Sequence, residues 1–175
     1  MLVCLGDTHG QTDHRLAGRA HQAVREADHV VHTGDFTTRA VYEAFAEQSG
    51  ADHGGAPLSA VHGNSDEPAL AERLPSTLVV DYEGVQLVVV HGHEHTATGL
   101  GLLARQEDAD VVVVGHTHRP MIERTEHCLV VNPGSHADPR GTAPTHAEVT
   151  QGEHGAMIEL RARDGSLVAE ETIQT

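Results

Sequence analysis

At 175 residues the chain is long enough to bury a hydrophobic core without disulfide staples, and its length suits one domain over residues 1–175. It carries 26 acidic against 11 basic residues, a formal net charge of −15, with two phenylalanines, two tyrosines and no tryptophan. That balance argues against the cationic grooves and stacking platforms of nucleic-acid binders, and no run approaches the ~20 apolar residues of a membrane span.

The chain opens on "MLVCLGDTHG", an apolar run with no basic leader or small-residue cleavage site, so a strand is expected at 2–5 and no secretory signal. Leu16, Ala20, Val24 and Ala27 then recur at helical spacing from about Thr12. "HVVHTGD" (29–35) predicts a second strand, 37–48 a helix with Val41, Ala44 and Phe45 on one side, and "LSAV" (58–61) a third strand. "EPALAERL" suggests a helix with Asp66 as its cap. "TLVV" (77–80) and "VQLVVV" (85–90) read as strands, 97–107 as a helix weakened by Gly99 and Gly101, and "VVVV" (111–114) and "CLVV" (128–131) as strands again. The alternation predicts an α/β fold with buried, mostly parallel strands. After residue 140, "HAEVT", "GAMIELRA" and "SLVAEETI" are separated by the turns "QGEHG" and "RDGS", which predicts antiparallel strands. Cys4 and Cys128 each lie within an apolar run and read as buried free thiols in a reducing cytoplasm.

Polar residues cluster where these runs end. Gly6-Asp7-Thr8-His9, Gly34-Asp35, Gly63-Asn64-Ser65-Asp66, His91-Gly92-His93 and Gly115-His116-Thr117-His118 each follow an apolar run. In open α/β sheets ligands gather beyond the carboxyl ends of the strands. If the segments are extended, residues two apart share a side, which lets Asp7 and His9 face one point, and His116 and His118 likewise. Carboxylate, amide and imidazole donors without thiolate suit Mn²⁺, Fe²⁺, Co²⁺, Ni²⁺ or Zn²⁺ better than Ca²⁺ or Mg²⁺. Seven such donors are too many for one tetrahedral ion and enough for two that share a carboxylate, which suggests a two-metal hydrolase. Of the other histidines, His14, His21, His53, His127, His146 and His154 are expected at the surface, and His32 and His62 as packing or supporting residues. His93 is placed equally well beside the site or outside it.

"GDTHG", "GD", "GNSD", "HGH" and "GHTH", in this order, resemble the calcineurin-like metallophosphoesterase family, and the small size and "NPGS" (132–135) its YfcE-like phosphodiesterase subgroup. The resemblance implies a four-layer αββα sandwich of two mixed β-sheets flanked by helices. It implies one metal on Asp7, His9, Asp35 and His118, and a second on Asp35, Asn64, His91 and His116, with manganese foremost and a metal-bridging hydroxide as nucleophile. The implied substrate is a small phosphodiester and the implied assembly a homodimer or homotetramer. The net charge of −15 argues separately against long nucleic acid, and the lack of a long apolar run against a membrane span. One departure is Ser65, where many relatives carry a histidine in G-N-H-D that is held to protonate the leaving group. Serine is a poor general acid, so activated aryl diesters should react better than alkyl monoesters. Asn132, Ser135 and Arg140 in "NPGSHADPR" are candidates for a substrate phosphate, against an ordinary Pro-Gly turn. The rival readings are a non-catalytic interaction scaffold like the retromer subunit of this fold, a nuclease, and a metal hydrolase of C–N bonds. Finally, all the basic residues are arginine and lysine is absent, a bias that suggests adaptation to high internal salt.

Overall fold

The computed structural model describes residues 1–153 and 155–174. In chain order they form β1 (Leu2–Leu5), α1 (Gly18–Glu26), β2 (His29–His32), α2 (Arg39–Ser49), β3 (Leu58–Ala60), α3 (Pro68–Ala71), β4 (Thr77–Tyr82) and β5 (Val85–Val90). Then come α4 (Ala97–Gln106), β6 (Val111–Val114), β7 (Met121–Arg124), β8 (Leu129–Asn132), β9 (Thr145–Gly152), β10 (Gly155–Ala162) and β11 (Leu167–Ile173). The strands make two mixed sheets, one in the order β11-β10-β9-β1-β2-β3 and the other β4-β5-β6-β8-β7. Within them β1, β2 and β3 run parallel, as do β5, β6 and β8, while β9–β11, β4 and β7 join antiparallel.

The strand β6 shows why the sandwich has four layers. Successive side chains of a strand point to opposite faces, so Val111 and Val113 enter the core between the sheets while Val112 and Val114 face Leu100 and Leu103 of α4. All four valines are buried, each burial contributing ~1.5–3 kcal/mol relative to exposure. On the far side, Val3, Leu5 and Val30 of the first sheet pack against Ala20, Ala23 and Val24 of α1 and Val41 and Phe45 of α2. The order is therefore helices, sheet, sheet, helix. Both cysteines are buried and free, and no helix among the described residues is long and apolar enough to cross a membrane.

Three local expectations need correction. The first helix begins at Gly18, not near Thr12. Asp13 and His14 side chains accept from the backbone N–H groups of Arg15 and Leu16, and Arg15 is left-handed at φ 55°, so no helical turn can propagate there. The segment 120–125 holds a strand, β7, that has no apolar run because it is a largely exposed sheet edge. His146, expected at the surface, is fully buried on β9. Both neighbours of β9 are strands and α1 covers its outer face, so its polar residues point into the protein. His146 Nε2 meets Glu148 Oε1 at 2.8 Å, and Arg19 of α1 donates from Nε and Nη2 to the two Glu148 oxygens at 2.7 Å each. His53 and His127 are exposed and His14 and His21 half-buried, while His154 lies outside the described residues.

Candidate metal centre

Because β1, β2 and β3 run parallel, and β5 and β6 likewise, their carboxyl ends deliver five loops to one rim. Asp7 and His9 follow β1, Asp35 follows β2, Asn64 follows β3, His91 follows β5, and His116 and His118 follow β6. One oxygen or nitrogen from each of Asp7, His9 and His118 lies within 4.8 Å of the others, and the same holds for Asp7, Asp35 and His91. Asp35 Oδ2 stands 3.3 Å from His9 Nε2 and 3.4 Å from His91 Nε2, between the two groups. Asn64 Oδ1 lies 3.1 Å from His91 Nε2. The ring of His116 packs edge-on to His91 with centroids 5.3 Å apart, and His118 stacks on His9 at 5.0 Å.

Asp7 and His9 do face one point, each placing a donor atom within 4.8 Å of the other, although the chain there is not extended. Asp7, His9, Asp35, His116 and His118 all have positive φ, between 45° and 67°. Left-handed conformations cost a non-glycine residue ~1–3 kcal/mol and gather where the surrounding structure imposes them for a purpose. As a result His116 and His118 diverge, one toward His91 and the other toward His9. The glycines make room for this crowding. A Cβ on Gly63 would sit 2.1 Å from Asp35 Oδ1, and one on Gly115 would sit 2.4 Å from Thr33 Oγ1 and 3.0 Å from Asp7 Oδ2.

Supporting residues fix each donor. His91 Nδ1 donates to the Thr33 carbonyl at 2.8 Å and His118 Nδ1 to the Asp138 carbonyl at 2.5 Å, which leaves both Nε2 lone pairs directed into the centre. Asp66 does not cap α3. Its carboxylate instead accepts from the backbone N–H groups of Gly63 and Thr37 at 2.7 Å and of Asp35 at 3.1 Å, tying the second and third loops together. Ser65 donates to Asp35 from both N–H, 2.7 Å, and hydroxyl, 3.0 Å. Asn132 and Ser135 are buried and bind loop backbone, Asn132 Nδ2 donating to the Gly115 carbonyl and Ser135 Oγ to that of Asp7. Of these three candidates Arg140 alone reaches the rim, its Nη2 3.3 Å from His9 Nε2. His32 is a packing residue, stacked on Phe36 and bonded to Thr8 Oγ1. His93 is exposed, its ring 5.3 Å from that of His91. His62 is half-buried; it has no part in either group.

Electrostatics separate the two carboxylates. Burial pushes Asp7 up to about 6, against the pull of His91 and His118. Burial also works against ionised Asp35, but the hydrogen bond and charge of His91 and the Ser65 N–H outweigh it and hold Asp35 below the usual carboxylate range. Burial lowers His9 and His116. For His91 burial acts downward, yet Asp35 and Asp7 raise it overall. The buried Asp7 Oδ2 has no hydrogen-bond partner among the described residues, and His9 Nε2 and His118 Nε2 face one another at 3.2 Å. An orphaned carboxylate oxygen beside converging nitrogens and a second carboxylate fits divalent cations, which would satisfy them all.

Residues 1–153 match the calcineurin-like phosphoesterase superfamily domain. The chain belongs to that family. It is 29% identical over 149 residues to a probable metallophosphoesterase of Methanothermobacter thermautotrophicus, covering 83% of this chain and 82% of that one. Among solved structures it is similar to the phosphoesterase YfcE of E. coli, at 22% identity and TM-score 0.71 over 99% of both chains. It is also similar in fold to Vacuolar Protein Sorting 29 of Cryptosporidium parvum, at 18% identity and TM-score 0.77 over 99% of this chain and 97% of that one. Membership of this superfamily implies divalent metal ions, for which the two donor groups are candidate sites, and the two mixed sheets with flanking helices are the superfamily's architecture.

Proposed function

We propose that this phosphoesterase is a dinuclear phosphodiesterase of small phosphodiesters. Asp7, His9, Asp35 and His118 would hold one cation, Asp35, Asn64, His91 and His116 the other, with Mn²⁺ the first candidate. The observation that carries the reading is the position of Asp35 Oδ2 between the Nε2 atoms of His9 and His91, beside the unpartnered Asp7 Oδ2. Cations bound there would activate water at neutral pH and neutralise charge on the phosphoryl oxygens.

The chain's own residues supply the rest. Thr33 and Asp138 keep His91 and His118 in the tautomer that offers Nε2 inward. Exposed His116 and Arg140 stand at the rim, where they can donate to phosphoryl oxygens in the transition state. Neither Cys4 nor Ser65 is placed to act as a covalent nucleophile. Cys4 is buried with its thiol pushed up to about 12 by that burial, and the Ser65 hydroxyl is engaged by Asp35. The net charge of −15 disfavours long polyanions, which supports a small substrate.

The fold likeness to Vacuolar Protein Sorting 29 supports a second reading, a non-catalytic interaction scaffold. Metal-stripped protein reconstituted with Mn²⁺ and offered bis(p-nitrophenyl) phosphate separates the two. The expected result is hydrolysis that needs the metal, a metal-dependent rise in melting temperature, and loss of both in Asp35→Asn, with turnover down at least about 10³-fold. Wild-type rates in Asp35→Asn would overturn the shared-carboxylate assignment, and metal uptake without turnover would favour the scaffold.

A further inference from the structure

The second sheet is covered unevenly. Helix α4 packs on β6, and among the described residues no other helix follows to cover the outer face of β8 and β7. Between α4 and those strands lies a cavity of about 600 Å³ that begins at His116. Small-molecule sites have volumes of ~300–1,000 Å³ and mostly apolar walls. Here the walls are Leu100, Val114, Met121 and Val130.

Its polar groups are few and unevenly placed. Arg119 stands exposed next to the rim, and its only hydrogen bond among the described residues is from its backbone N–H to Thr117 Oγ1. On the helix side the half-buried His95 lines the groove. Glu123, two residues further along β7 than Met121, lies further from the rim and opposes a second anion there. A cation at the mouth, apolar walls and a carboxylate acceptor within suit an uncharged heteroaromatic ring that carries hydrogen-bond donors and is tethered to a phosphate.

We propose that this groove seats a nucleobase-sized heteroaromatic ester arm of the substrate, so that the phosphodiesters hydrolysed are nucleotidyl esters. The inference rests on the phosphodiesterase reading above, because the groove leads away from His116. Calorimetric binding of adenosine 5′-monophosphate and of methyl phosphate to the Mn²⁺-loaded protein isolates the arm, since the two share a phosphate monoester. Adenosine 5′-monophosphate should bind at least about tenfold more tightly. The ratio should collapse to within about twofold in Met121→Trp and in Leu100→Trp, which fill the groove from opposite walls. It should persist in Leu102→Trp, an exposed α4 position outside the groove. Equal affinity in the wild type, or a preference that survives both filling variants, overturns the groove assignment while hydrolysis of methyl p-nitrophenyl phosphate upholds the phosphodiesterase. Failure of the metal-loaded wild type to hydrolyse that diester overturns the phosphodiesterase reading, and the groove falls with it as a substrate seat.

Discussion

The hydroxyl of Ser65 is 3.0 Å from Asp35 Oδ2, and its N–H is 2.7 Å from Asp35 Oδ1. Both bonds orient the carboxylate that stands between His9 and His91, and neither leaves a proton poised for a departing alcohol. General acid catalysis is worth ~10²–10⁴-fold and matters most for alkoxide leaving groups. Ser65→His should therefore raise kcat/KM for alkyl esters relative to aryl esters by at least about tenfold. An unchanged aryl-to-alkyl ratio, measured on matched diesters, would rule this out. Of the seven candidate donors, Asp7, His9, Asp35, His91 and His118 meet in the two groups, and these could be picked out in the sequence because their side chains carry their chemistry openly. Asp66 was not legible in its true role, since its partners are three backbone N–H groups brought together only by the fold. The carbonyls of Thr33 and Asp138, which set the histidine tautomers, leave no trace in residue type at all.

At the scale of elements, the buried strands announce themselves because both faces need apolar residues, as in Val111–Val114. An exposed edge such as β7 makes no such demand, and a polar residue such as Glu148 on the covered strand β9 cannot be told from a surface one by pattern alone. Its environment has a measurable consequence. Burial acts to raise Glu148, but the hydrogen bonds from His146 and Arg19 outweigh it and bring it to about 2. The carboxylate binds protons less readily folded than unfolded, so its stabilisation is complete above about 4.5 and lost as pH falls toward 2. The shift corresponds to about 3 kcal/mol. His136, brought to about 4 by burial, must charge on unfolding and weakens the fold earlier, as pH falls from 6.5 toward 4. Urea midpoints of wild type and Glu148→Gln should fall in parallel over that upper window. Below about 4.5 the wild type should fall more steeply. Parallel curves throughout would mean that the Arg19 contact does not hold the helix α1 to its sheet.

Across the whole molecule the electrostatics are governed by a net charge of −15, with every cation an arginine. Several carboxylates are largely exposed, among them Asp13, Asp28 and Glu126, with side chains 68%, 71% and 89% exposed. At low ionic strength their mutual repulsion disfavours the compact state and their summed field opposes an anionic phosphodiester approaching the rim. Raising salt to 1 M shortens the Debye length to ~3 Å and removes both penalties, while the buried Arg19–Glu148 contact is screened much less. Guanidinium groups keep their charge and bidentate bonding where ammonium would be more strongly hydrated, which accords with the absence of lysine. We infer a protein adapted to high salt, for which the unfolding midpoint should rise and KM should fall as KCl goes from 0.1 to about 2 M. A rise in stability with no change in KM would confine the effect to the fold, because the field at the site would then be set by bound cations rather than by the surface. If stability and rate are both greatest at low salt, the acidic surface has some other cause.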